Sequence, residues 1–123
     1  MRVFNASITV DTEEGTEVAD ITKPVRDVIQ DLPVTTGIAL VNTLHTTCAL
    51  FVNEFQGALV DDLKALVTRL GHADAHLGNA LLGRSIALGV RDGELVLGRF
   101  QSIIFAELDG PRQRELAVQV IGE

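Results

Sequence analysis

The chain predicts an α+β fold: a single compact domain over residues 1–123, with largely antiparallel β-sheets packed against two or three helices. Three observations point there. Strand-like apolar runs crowd the last third of the chain. Twice before that, the apolar spacing changes to a helical period. And 46% of the 123 residues are hydrophobic, enough to close a core at this length. That core has to be aliphatic, because the chain has five Phe and neither Trp nor Tyr.

Each element follows in order. Residues 3–10, VFNASITV, mix β-branched and polar types and read as a first strand. Residues 12–17, TEEGTE, are polar and turn-like, with Gly15 able to take positive φ. Val25, Val28, Ile29 and Leu32 then recur at i, i+3, i+4 and i+7, one face of a helix. Pro24 suits its first turn, Asp20 or Thr22 can cap it, and Pro33 bars continuation. GIALVNTL (37–44) and CALFVNE (48–54) are runs of strand length. Leu59, Leu63, Leu66 or Val67, and Leu70 restore the helical period; Asp61 and Asp62 precede Lys64 and Arg69, as the macrodipole favours. GHADAHLGNALLG (71–83) reads as a short helix or a loop. SIALGV (85–90) and ELVLG (94–98) flank Asp92-Gly93, a tight hairpin turn. RFQSIIFAEL (99–108) and RELAVQVI (114–121) are further strands around the turn sequence DGPR. The sum is about six or seven strands.

The formal charge is −7, which disfavours a nucleic-acid surface because phosphates need a basic field. Cys48 is the lone cysteine, so no internal disulfide forms. No apolar run reaches membrane-spanning length and the first residues lack a signal peptide's apolar region. The expectation is a cytoplasmic protein, bound to neither membrane nor nucleic acid.

Chemistry concentrates in three places. His45, Thr46 and Thr47 stand between two apolar runs, where scaffolds present functional groups; a histidine satisfied by nearby backbone would look the same. Asn53-Glu54 closes the second run with a carboxylate suited to a ligand or base, or to a plain surface. His72 and His76 stand at i and i+4, a helical spacing for a shared metal, with His45 as a third imidazole. Zinc or another borderline divalent ion would suit that set. Glu107, Asp109, Arg112 and Arg114 surround the DGPR turn: either a solvated hairpin tip or an arginine fork for phosphate. Cys48 reads as a small buried residue. Walker loop, GxGxxG, CxxC and serine-elbow patterns are all missing from the sequence.

Several of these stretches, taken together, resemble the YjbQ family, also called secondary thiamine-phosphate synthase. The matching pieces are His45-Thr46-Thr47 with Ala49-Leu50 and Asn53-Glu54, then Ala75-His76-Leu77, Leu82-Gly83 and Ser85. Gly93, LVLG (95–98), Gln101 and ELDGPRQR (107–114) follow in order. The resemblance implies a YjbQ-like α+β domain assembling as a homotrimer, with sites near subunit boundaries. It also implies a weak transferase activity that joins a pyrimidine pyrophosphate to a thiazole phosphate. Carried over, His45, Glu54 and His76 are the catalytic candidates, and Thr46, Thr47, Gln101, Asp109 and Arg112 the substrate-binding ones. His45, His76 and His72 are the metal candidates, for zinc or magnesium. Two stretches depart from the family: its longer Tyr-x-His segment before Ala75 is reduced here to Gly71-His72, and its Thr-Trp-Gln is Arg99-Phe100-Gln101. His72 either replaces the missing histidine or the site has one ligand fewer. The competing readings are a trimer that binds a small anionic metabolite or a divalent metal without turnover, and a purely structural module.

Overall fold

A computed structural model describes residues 1–70 and 74–123. Two antiparallel sheets stack on each other. The first has five strands in the order β1 (Arg2–Asp11), β8 (Gln113–Gly122), β3 (Gly37–Thr43), β5 (Ser85–Arg91) and β6 (Glu94–Leu95). The second has three: β2 (Glu17–Asp20), β7 (Ser102–Glu107) and β4 (Cys48–Asn53). Helices α1 (Thr22–Gln30), α2 (Gly57–Val67) and α3 (Asp74–Leu82) complete the described residues. No helix among them is long and apolar enough to cross a membrane.

The core lies between the sheets. Ala39, Val41, Leu116, Val118 and Val120 of the first face Cys48, Leu50, Ile103 and Phe105 of the second, with Val25 and Ile29 of α1 sealing the same cluster. The opposite face of the small sheet, through Ala49 and Ala106, packs on Val67 of α2 and Ala75 of α3. Being covered on both faces explains why CALF and IIFA are unbroken apolar runs rather than alternating ones. β8 is covered on one face and alternates strictly, Leu116, Val118 and Val120 in, Glu115, Gln119 and Ile121 out.

The described elements answer the expectations closely, with three differences. Polar residues 12–17 hide the start of a strand, since Glu17–Asp20 pairs with Ile104–Glu107; its four residues are too short for a period to show. Gly15 does not take positive φ; Gly83, Asp92 and Gly93 do, the last two forming the hairpin turn between β5 and β6. Asp20 precedes the first helix, and its carboxylate accepts the Thr22 N–H and hydroxyl at 2.9 and 2.6 Å while Ile21 takes the cap position. In the second helix Val67 is the buried member and Leu66 is exposed.

Candidate functional site

Two chain crossovers between the sheets run side by side at one end of the sandwich. β3 of the large sheet passes to β4 of the small one through residues 44–47, and β7 returns to β8 through residues 108–112. The Leu108 N–H donates to the Thr47 carbonyl at 3.2 Å and ties the two crossovers together. A cavity of about 410 Å³ opens between them, lined by Leu44, His45, Thr46, Thr47, His76, Asp109, Arg112 and Arg114.

Arg114 occupies an inward position of β8, in phase with Leu116 and Val118, and its side chain is 3% exposed. A guanidinium there needs a partner. Glu107, wholly buried at the end of β7, supplies it: the Arg114 Nε donates to Oε1 at 2.8 Å and Nη2 donates to Oε2. The same carboxylate accepts the Thr12 hydroxyl at 2.9 Å and the Asp109 N–H at 3.1 Å. Burial alone would push the Glu107 carboxyl up, but the bonds from Arg114, Asp109 and Thr12 outweigh it and hold it below its ordinary value. The Glu107 hydrogen bond correspondingly raises Arg114 against the effect of burial. Nη2 also donates to the Thr47 carbonyl and hydroxyl oxygens, at 3.1 and 2.8 Å. Among the described residues Nη1 has no protein partner, and Arg114 lines the cavity.

Arg112 is exposed and hooks back on its own turn, with Nε on the Asp109 carbonyl at 2.7 Å and Nη2 on its carboxylate at 2.8 Å. Gly110 fits this turn because a Cβ would fall on the Glu14 carbonyl oxygen.

His45 is held by its neighbours. Its N–H donates to the Thr43 hydroxyl oxygen at 3.2 Å, and its Nε2 accepts the Glu115 N–H at 3.0 Å. Asn79 of α3 donates to the Cys48 carbonyl at 2.7 Å and to the His45 carbonyl at 3.4 Å, which docks α3, and with it His76, against the crossover. Cys48 lies beneath, its thiol pushed up by burial despite the Thr43 contact, so it stays a protonated core residue.

Of the candidates read from the sequence, His45, His76, Thr46, Thr47, Asp109 and Arg112 line this one cavity. Glu54 and Gln101 do not. β4 and β7 separate them from it, six residues each and about 20 Å long. The pairing of Asn53 with Ser102 puts Glu54 and Gln101 together at the far end of the small sheet. There Gln101 accepts the Gly98 N–H at 2.8 Å, and Phe100 is 66% exposed with the Arg99 guanidinium 5.4 Å from its ring centroid. His72 lies outside the described residues. Among the described residues no three His, Cys, Asp or Glu side chains converge as a metal group. His45 has its accepting nitrogen committed to β8, and Asp109 is paired with Arg112.

The residues that sequence reasoning underweighted are Arg114, Glu107, Thr12 and Asn79. Arg114 left a signal, a charge in the apolar phase of an alternating strand. Thr12 and Asn79 left none.

The family model described as UPF0047 protein YjbQ-like matches residues 6–123. A UPF0047 protein of Methanothermobacter thermautotrophicus is 36% identical over 136 aligned positions, covering 100% of this chain and 95% of that one. The YugU protein of Bacillus subtilis, also UPF0047, is 30% identical and covers 94% of this chain and 98% of its own. Among solved structures, a YbjQ-like protein of unknown function from Sulfolobus solfataricus superposes with a TM-score of 0.89 at 33% identity, covering 99% of both chains. The similarity runs over nearly the whole length of this chain and of these relatives, and the chain belongs to the YjbQ (UPF0047) family.

Proposed function

We propose that the crossover cavity binds the phosphate or pyrophosphate group of a small phosphorylated metabolite. The buried Arg114 on the cavity wall, whose Nη1 has no partner among the described residues, carries this reading. Its surroundings extend it. The Thr47 oxygen already accepts from Arg114, so its hydroxyl hydrogen is free to donate. Thr46 and Arg112 add donors at the rim, and an oxyanion matches such a set.

The activity that best uses it is a weak transferase of the thiamine-phosphate synthase type. The thiazole ring nitrogen attacks the methylene carbon of the pyrimidine pyrophosphate. A C–N bond forms, the C–O bond breaks, and its electron pair leaves with pyrophosphate. Arg114, Arg112 and the threonine hydroxyls would hold that leaving charge. Incubation with both precursors should give thiamine phosphate, reduced at least tenfold by Arg112→Ala or His45→Ala, roughly the loss of one hydrogen bond to a charged group. Product formed equally well by both variants, or by neither variant nor parent, refutes the transferase reading.

A second reading is a binder without turnover. It is favoured by the carboxylates among the described residues: Asp109 is engaged by Arg112 and Glu54 stands at the far end of β4. Pyrophosphate binding by calorimetry with no product in a broad substrate screen would select it. Zinc or magnesium enters as a further proposal, with His76, which lines the cavity, as the candidate imidazole. For the assembly we propose a homotrimer, supported by the apolar outer face of the large sheet, where Val3, Ile38, Leu40 and Ile121 are exposed on neighbouring strands. A cytoplasmic location fits the same reading.

A further inference from the structure

The imidazole of His45 stands in for a main-chain carbonyl. β3 runs antiparallel to β8 from Gly37, paired with Gly122, to Thr43, paired with Leu116. One step further the Leu44 N–H still reaches the Glu115 carbonyl, at 3.5 Å, but the chain then turns toward β4. The Glu115 N–H would lose its ladder partner at that point. His45 Nε2 accepts it instead, at 3.0 Å. The ring therefore closes the last rung of the ladder.

This fixes the chemistry of the other nitrogen. A nitrogen that accepts an N–H carries no hydrogen of its own, so a neutral His45 holds its hydrogen on Nδ1. We infer that His45 serves the cavity as a built-in hydrogen-bond donor through Nδ1–H, for an oxyanion, and is neither its general base nor its metal ligand. The ligand class rests on the anion reading above; the tautomer does not. A base or a ligand needs an available lone pair, and the only one on this ring is spent on β8. His76 differs: it is exposed and no hydrogen bond to its ring is formed among the described residues. The two histidines of the cavity, equivalent by residue type, are thereby assigned unequal roles by one backbone N–H.

The test reads the free protein first. Long-range proton–nitrogen correlation on uniformly nitrogen-15-labelled protein at pH 8 reports which ring nitrogen is protonated. The Nδ1–H form at His45, with a slowly exchanging Glu115 amide, is expected; the Nε2–H form, or a rapidly exchanging amide, overturns the inference. Inorganic pyrophosphate is then titrated in. His45 Nδ1–H should shift while the Glu115 amide stays protected; a protected amide with an unmoved His45 ring, once pyrophosphate is bound, overturns the donor role. Zinc at one equivalent should leave that amide protected, and loss of its protection makes His45 a ligand and overturns the inference. His45→Gln, whose amide oxygen can still accept from Glu115, should keep the amide protection and lose about tenfold in pyrophosphate affinity. His45→Ala should lose both. If the parent takes up no pyrophosphate at all, the anion reading fails and the free-protein spectrum still decides the tautomer.

Discussion

Glu107 and Arg114 meet across the β7–β8 crossover as a buried ion pair in which every carboxylate oxygen is satisfied, from the guanidinium, the Asp109 N–H and the Thr12 hydroxyl. The pair spans both sheets, since β7 belongs to one and β8 to the other. Its role is therefore structural as well as electrostatic: it holds the turn that carries Asp109 and Arg112 against the crossover that carries Thr47.

Removing one partner should cost more than removing both. Arg114→Met leaves a buried carboxylate without its cation and should destabilise the fold by about 3–5 kcal/mol in urea unfolding. Adding Glu107→Gln to that variant should recover part of the loss. Equal stability of the single and double variants would remove the pair from any account of the fold.

The same carboxylate predicts a response to acid. Its folded value lies below the ordinary 4.5, so between the two values the unfolded chain binds the proton and the folded one does not. The stabilisation is present in full above about pH 4.5 and is lost as pH falls through the folded value. Thermal unfolding from pH 7 to pH 3 should show a falling midpoint below that point, and Glu107→Gln should flatten the slope. An unchanged slope in the variant would move the effect to other carboxylates.

Gly110→Ala should destabilise by about 1–3 kcal/mol, because the new methyl meets the Glu14 carbonyl and comes within 2.8 Å of Glu107 Cγ. The strain falls on the turn that presents Asp109 and Arg112, so pyrophosphate affinity should weaken with it. Gly57→Ala is the control, having no atom within 4 Å of the added methyl, and should be neutral or slightly stabilising.

The outer face of the large sheet supplies a test of assembly. Ile38 and Ile121 are directly paired and exposed at 61% and 41%, with Leu40 beside them. Ile38→Asp with Leu40→Glu should convert an oligomer to a folded monomer in sedimentation at micromolar concentration. Unaltered sedimentation of the double variant would place the subunit contact elsewhere.

Much of this architecture was legible in the chain, and the failures have physical causes. Asp92-Gly93 announced its hairpin because few residues tolerate two successive positive φ values. Val25 and Ile29 announced their helix because one face is buried. The strand at Glu17–Asp20 stayed hidden because four residues give no period. His45, Thr46, Thr47, His76 and Arg112 line one cavity, and polar groups beside apolar runs are conspicuous in a sequence. Glu54 and Gln101 were grouped with them because a motif records order, not distance, and two intervening strands of six residues carry them to the opposite end. Asn79 was passed over because its partners are main-chain carbonyls, and those leave no mark in the order of side chains.

That asparagine has a consequence for what enters the cavity. One amide side chain, one helical turn beyond His76, clips the last helix to the loop bearing His45. The gap between the two imidazoles is thus gauged by a residue that lines no part of it. Selection by ligand size would sit at a spacer behind the wall, so a change of substrate could arise there with the wall itself unaltered.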